Sequence, residues 1–156
     1  MDDKRSIEGP VLISACLAGR KCRYDGSGAR DEVVDDLIRR GQSVLVCPEV
    51  DGGLGTPRAP AEIVGGDGRA VLEGRARVVN ADGEDVTDAY LEGARRALRA
   101  ARQTGATGAI LKARSPSCGC GHIYDGSFSK TIIEGHGVTT ALLEANGMTV
   151  VSDEDL

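Results

Sequence analysis

Residues 114–121, Arg-Ser-Pro-Ser-Cys-Gly-Cys-Gly, concentrate side chains that can do chemistry, because two thiols and two hydroxyls stand among glycines and a proline. The stretch follows an apolar run at residues 108–111, which is typical of a buried strand in a parallel sheet. Cys118 is therefore predicted to lie in a tight turn just beyond the carboxyl end of a strand.

Two further cysteines occupy the same kind of position. Cys16 follows the apolar run 11–15, and Cys47 follows the run 43–46. Ligands of open α/β sheets bind outside the carboxyl ends of the strands, so we expect Cys16, Cys47 and Cys118 to converge on one point. Three converging thiolates suit a soft metal ion or an iron–sulfur cluster.

The other possible ligands leave alternatives open. Cys22 and Cys120 could equally belong to the ligand set, and a single cysteine is more often a small buried hydrophobic residue than a ligand. The chain has no Cys-x-x-Cys pair, and the Cys-Gly-Cys spacing at 118–120 is too tight for an ordinary zinc knuckle. The two histidines, His122 and His136, are interpreted as loop residues rather than ligands.

Three polar side chains near these cysteines are candidates for catalysis. Glu49 lies two residues after Cys47, at the same predicted edge, where a carboxylate can serve as a general base; the alternative is an exposed loop acid. Ser115 and Ser117 can donate hydrogen bonds to a small polar substrate, although serines that only shape a turn are as common.

The order of apolar runs predicts the scaffold. Strands and helices alternate, which indicates a three-layer α/β domain with a mainly parallel, Rossmann-like sheet and a small β-hairpin excursion. The predicted core strands lie at 11–15, 43–47, 108–112 and 148–151. The predicted helices cover 29–40, a long segment from a capping start at 85–88 to about 103, and 138–145. A hairpin is predicted at 71–79 (strands 71–73 and 76–79), with 63–64 as a candidate short strand before it, and 122–128 is interpreted as a hairpin or loop.

Length and composition restrict the function further. The 156 residues fit one domain spanning 1–156, with residues 1–9 loosely held. A net charge of -5 and 3% aromatic residues argue against binding of polymeric nucleic acid. No apolar run approaches the roughly 20 residues that cross a bilayer, and no signal-type core follows the start, so we expect a cytoplasmic protein without a membrane partner.

Eight short motifs between residues 11 and 152 together resemble one bacterial family, the iron–sulfur-dependent 2-thiouracil desulfidases, formerly a domain of unknown function. The motifs are Ser-Ala-Cys-Leu at 14–17, Cys-Arg-Tyr-Asp-Gly at 22–26, Cys-Pro-Glu-Val at 47–50, Thr-Pro-Arg at 56–58, Pro-Ala-Glu-Ile at 60–63, Arg-Ser-Pro-Ser-Cys-Gly at 114–119, Ile-Tyr-Asp-Gly at 123–126 and Gly-Val-Thr at 137–139. Because the motifs are collinear, a chance similarity is improbable.

The resemblance implies a [4Fe-4S] cluster held by Cys16, Cys47 and Cys118, with one iron left open. Such an exposed iron makes the cluster labile in air, so an aerobically prepared sample can lack it. The resemblance also assigns the family's catalytic acidic residue to Glu49 and its active-site serine to the Ser-Pro-Ser-Cys motif, with Ser115 preferred over Ser117.

The activity that the resemblance implies is non-redox desulfuration of a thiocarbonyl compound such as 2-thiouracil, giving uracil and hydrosulfide. The cluster would act as Lewis acid and sulfur acceptor, and the substrate would be a small thiolated nucleobase or nucleoside. The alternative from another functional class is a non-enzymatic iron–sulfur or zinc-binding module that senses redox state or carries sulfur.

Overall fold

The structure is a computed structural model, and it describes residues 9–156. Most of the segment predicted to be loosely held, residues 1–8, lies outside the described residues. In chain order the strands are β1 (Val11–Ser14), β2 (Ser43–Val46), β3 (Ala61–Val64), β4 (Arg77–Asn80), β5 (Gly108–Leu111), β6 (His122–Tyr124), β7 (Ile132–Glu134) and β8 (Thr149–Ser152). The helices are α1 (Glu32–Arg39), α2 (Pro48–Asp51), α3 (Gly68–Leu72), α4 (Thr87–Thr104) and α5 (Val138–Ala145), and short 3-10 turns cover Ala15–Ala18 and Asp153–Asp155.

Four parallel strands form the central sheet, in the order β2-β1-β5-β8. All four residues of β1 and of β5 are buried, which explains why these strands read as continuous apolar runs rather than alternating ones. Because the strands run in one direction, the residues that follow β1, β2 and β5 all lie at the same edge. The prediction of an α/β fold with a mainly parallel sheet is confirmed.

Alternate residues of the sheet face opposite helical layers. On one side Val11 and Ile13 pack with Val34 of α1. On the other side Leu12 packs with Ala97 of α4 and with Leu143 of α5, among other residues. Helices therefore cover both faces of the sheet, as the three-layer prediction requires. Over residues 9–156, none of the helices is both long and apolar enough to cross a membrane.

The predicted hairpin at 71–79 is wrong in its first strand. Residues Gly68–Leu72 form helix α3, because the side chain of Asp67 caps it by accepting a hydrogen bond from the backbone N–H of Ala70 at 3.1 Å. The hairpin instead pairs β4 with β3, so that Ile63 lies opposite Val78. A second hairpin pairs β6 with β7, so its first strand lies in the predicted segment 122–128 and its second strand lies beyond it.

The helix predicted over 29–40 begins later than expected. The side chain of Asp31 accepts hydrogen bonds from the N–H groups of Val33 and Val34, so α1 begins at Glu32. Helix α5 covers the predicted residues 138–145. Helix α4 buries Tyr90 and Gly93 together with three alanines, and Tyr90 and Gly93 bear on the site described next.

Candidate active site

A cavity of about 420 Å³ opens at the carboxyl edge of the central sheet. It draws its walls from the turns after β1, β2 and β5 and from the segment around β3. Five of the six predicted site residues line this cavity: Cys16, Cys47, Cys118, Glu49 and Ser115. The structure therefore brings together residues that are up to about a hundred positions apart in the chain, through strand order alone.

Each of the three cysteines is placed by the end of a strand. Cys16 lies in the 3-10 turn after β1, and Cys47 precedes helix α2 as its N-terminal capping residue. Cys118 lies in the loop after β5, where the hydroxyl of Thr140 donates a 2.9 Å hydrogen bond to its carbonyl oxygen. All three thiols are free, and Cys16 and Cys118 are buried.

A fourth thiol, Cys22, also lines the cavity. Its proximity lowers the pKa of Cys47 to about 7 and raises that of Cys22, and the Cys47 thiol donates to the carbonyl oxygen of Cys22 at 3.7 Å. Burial raises the pKa of Cys16 to about 11 and also raises that of Cys118. Metal binding at these thiols must therefore displace protons, as is usual for thiolate ligands.

Four free thiols share this cavity, those of Cys16, Cys22, Cys47 and Cys118. Among residues 9–156, no group of three or more His, Cys, Asp or Glu side chains is close enough to hold one metal ion. A zinc ion needs its ligands about 2.3 Å from one centre, whereas an iron–sulfur cluster attaches each cysteine to a different iron and accepts wider spacing. Free, soft thiols that share one cavity are the ligand type that an iron–sulfur cluster takes.

Glu49 occupies the first turn of helix α2, and its carboxylate is largely enclosed, with 16% of the side chain exposed. Oε1 accepts hydrogen bonds from the Tyr90 hydroxyl at 2.8 Å and from Arg58 Nε and Nη2 at 3.2 and 3.1 Å. Oε2 accepts one from the hydroxyl of Ser115 at 3.2 Å. The interpretation of Glu49 as an exposed loop acid is therefore wrong.

The two serines of the opening motif have different surroundings. The hydroxyl of Ser115, besides donating to Glu49, accepts 3.0 Å hydrogen bonds from the backbone N–H groups of Ser117 and Cys118. Ser117 is fully buried, and its hydroxyl pairs with that of Thr139 at 2.7 Å. Ser115 thus faces the cavity, whereas Ser117 lies behind it in the packing between the loop and helix α5.

A family described as 2-thiouracil desulfurase matches residues 11–155 of the chain. The match includes all the strand-end cysteines, the carboxylate and both serines described above. The chain belongs to the 2-thiouracil desulfurase family. The resemblance stated from the motifs is confirmed, and with it the prediction that the chain is a desulfurase-family enzyme.

Two relatives support this membership over almost the full chain. The uncharacterized protein YbbK of Bacillus subtilis (strain 168) is 50% identical over 146 residues, which are 94% of this chain and 97% of that protein. The solved structure of TudS, a [4Fe-4S]-dependent thiouracil desulfidase, is 40% identical, has a TM-score of 0.84 and covers 96% of this chain and 93% of the TudS chain. The same α/β fold is thus present in an iron–sulfur desulfidase.

The cavity of this desulfurase-family chain contains residues to which the sequence assigned no role. Arg58 belongs to the Thr-Pro-Arg motif at 56–58, so the sequence offered a reason to consider it. Tyr90 belongs to none of the motifs and is distinguished only as the single aromatic residue of α4. Although aromatic residues make up only 3% of the chain, all three tyrosines and the one phenylalanine line this cavity: Tyr24, Tyr90, Tyr124 and Phe128.

The remaining sequence candidates lie outside the cavity wall. The thiol of Cys120 donates to the carbonyl oxygen of Val150 at 3.4 Å, on the side of the sheet that α4 and α5 cover. His136 accepts from the N–H of Gly121 and lies 2.8 Å from Glu144, as expected of a loop residue. The other histidine, His122, is exposed at the start of β6.

Proposed function

We propose that this chain hydrolyses the C–S bond of a small thiocarbonyl compound such as 2-thiouracil, a thiolated nucleobase, and releases uracil and hydrosulfide. One observation carries the proposal: an enclosed carboxylate and a serine hydroxyl share a cavity with three strand-end thiols. The reaction adds the elements of water and loses those of hydrogen sulfide. It therefore needs no external oxidant or reductant.

Cys16, Cys47 and Cys118 would hold the cofactor, a [4Fe-4S] cluster. Support comes from the thiols that share the cavity and from the similarity to TudS, a [4Fe-4S]-dependent desulfidase. When bound through three cysteines, such a cluster supplies an open iron, a soft Lewis acid that polarises the thiocarbonyl and accepts its sulfur. Cys22 is left as a thiol neighbour of Cys47, and Cys120 has no part in the proposed ligand set.

The remaining chemistry is assigned to side chains of the chain. Glu49 would take a proton at Oε2 from the water that attacks the thiocarbonyl carbon, since this oxygen is directed towards Ser115 and the cavity. The Ser115 hydroxyl, which donates to Oε2 and accepts from the N–H groups of Ser117 and Cys118, would hold Oε2 in place at the cavity wall. Collapse of the tetrahedral carbon then expels sulfur and forms the carbonyl of uracil.

The experiment is anaerobic reconstitution, followed by iron and sulfide counts and by assays of sulfide release from a panel of thiolated bases and nucleosides. We expect about four irons per chain and equal amounts of sulfide and desulfurated base, without added reductant. A fully reconstituted cluster that releases no sulfide from any member of the panel would contradict the proposal. A single tetrahedral zinc without turnover would instead support the non-enzymatic metal module.

A further inference from the structure

We propose that Arg58 and Tyr90 form a clamp that saturates Oε1 of Glu49, so that Oε2 alone remains to accept the proton during the reaction. Both are assigned as positioning residues that act through Glu49 and do not touch the substrate. The inference rests on the proposed role of Glu49 as the general base. It adds two residues that the family motifs and the strand-end pattern do not assign to this role.

The two oxygens of Glu49 are bound very unequally. Oε1 accepts three hydrogen bonds, one from the Tyr90 hydroxyl and two from the Arg58 guanidinium. Oε2 accepts a single bond, from Ser115, whose hydroxyl lines the cavity. A carboxylate oxygen with three donors has little capacity left for a further proton, whereas its neighbour keeps a free lone pair.

Arg58 has no donor to spare for a substrate. Nε and Nη2 donate to Glu49, and Nη2 also donates to the carbonyl oxygen of Cys22 at 3.1 Å. Nη1 donates to the carbonyl of Gly55 and the hydroxyl of Thr56, both at 3.1 Å. A guanidinium has five N–H groups, and these five bonds match that number. Only 10% of the side chain is exposed, so Arg58 fixes the carboxylate rather than binding an incoming anion.

Tyr90 completes the clamp from helix α4. Tyr90 is 1% exposed, and its hydroxyl donates to Glu49, its one hydrogen-bond partner among residues 9–156. Burial, together with the nearby Glu49 charge, raises the pKa of Tyr90 well above its usual range, so the hydroxyl stays protonated and remains a donor. Tyr90 lies on α4, which packs directly against α2, the helix that carries Glu49, whereas Arg58 lies in the loop before β3. Together the two side chains hold the carboxylate against rotation about its terminal bond.

The decisive variant is Tyr90→Phe, which removes the hydroxyl and keeps the ring. In the reconstituted enzyme we expect kcat to fall about tenfold, the size typical of a lost hydrogen bond to a charged group, with KM and the cluster absorbance unchanged. Thr87→Val is the matched control, because the Thr87 hydroxyl holds the backbone N–H of Val78 at 2.9 Å in the first turn of the same helix, away from the cavity. It should lower the melting temperature without lowering kcat.

A double-mutant cycle then separates positioning from a structural role. In a Glu49→Gln background, Tyr90→Phe should cause no further loss of kcat, and the two changes should also be non-additive in the unfolding free energy of the cluster-free protein. Arg58→Lys, which cannot reproduce the paired N–H geometry, should behave in the same way. Additive losses, or parent-like kcat in Tyr90→Phe, would overturn the clamp. Parent-like turnover of Glu49→Gln itself would instead refute the proposed base.

Discussion

The hydroxyl of Ser115 donates a 3.2 Å hydrogen bond to Oε2 of Glu49, although the two residues are 66 positions apart in the chain. Ser115 follows β5 and Glu49 follows β2, and these strands flank β1, which carries Cys16 at its end. One bond therefore connects helix α2 with the loop after β5, on either side of the first strand. It places the proposed base next to the loop that holds Cys118.

The first prediction concerns the base. Glu49→Gln keeps the volume and most hydrogen-bonding capacity of the side chain but cannot take a proton. We expect turnover to fall by about 10²–10⁴-fold while the absorbance of the reconstituted cluster stays the same. Sulfide release and visible spectra of the same sample measure both quantities. Parent-level turnover with an intact cluster would show that another group takes the proton.

The second prediction separates the two serines. Ser115→Ala removes the bond to Glu49, so we expect it to reduce turnover more than Ser117→Ala does. Ser117→Ala leaves the buried Thr139 hydroxyl without its partner, and we expect it to lower the free energy of unfolding by about 1–3 kcal/mol. Sulfide assays and denaturant titrations of both variants test this. A larger turnover loss in Ser117→Ala would reverse the assignment.

The third prediction compares two cysteines that are separated by a single glycine. Cys118 lines the cavity, whereas Cys120 hydrogen-bonds the carbonyl of Val150 away from it. We expect Cys118→Ser to abolish both cluster assembly and activity, because a hard hydroxyl replaces a soft thiolate ligand. Cys120→Ser is the matched control and should assemble a full cluster. Iron counts after parallel reconstitution decide the matter, and loss of iron in the control would implicate Cys120 as a ligand.

The fourth prediction concerns the packing of α2 against α4. A Cβ atom added at Gly93 would overlap the carbonyl oxygen of Pro48, the residue before Glu49. We expect Gly93→Ala to cost about 1–3 kcal/mol of stability through overpacking, and to reduce turnover by displacing the carboxylate. Gly55→Ala is the stability control, because a Cβ there meets no atom within 4 Å. Thermal unfolding of both variants provides the test, and equal melting temperatures would refute the close contact.

The strand ends could be predicted from the sequence because buried parallel strands leave a continuous apolar run. Residues 11–14, 43–46 and 108–111 are such runs, and each is followed by one of the cysteines that line the cavity. The carboxyl ends of parallel strands lie at the same edge of the sheet, where ligands of α/β proteins bind. The positions of the three apolar runs and this topological rule together predict that the thiols converge. This is why the cavity wall was predictable at the level of single residues.

The misplaced elements and missed residues depend on less local information. Helix α3 was missed because Asp67 caps a segment whose valine and leucine also suit a strand. Tyr90 and Glu49 are 41 positions apart in the sequence but are joined by a hydrogen bond. The bounds of α4 do not reveal which of its turns faces that carboxylate. The proposed roles of Arg58 and Tyr90 depend on tertiary contacts that join helix α2 to the loop before β3 and to helix α4, and spacing along the chain does not reveal those contacts.

The gathering of aromatic residues at the cavity gives the protein an internal optical reporter. The chain has no tryptophan, so its ultraviolet emission comes from Tyr24, Tyr90 and Tyr124, and all three line the cavity. A chromophore that enters this space, whether a thiolated base or an iron–sulfur centre, absorbs light close to every emitter in the molecule. Quenching of tyrosine fluorescence should therefore follow occupancy of the cavity directly, in the unlabelled protein and before any turnover begins.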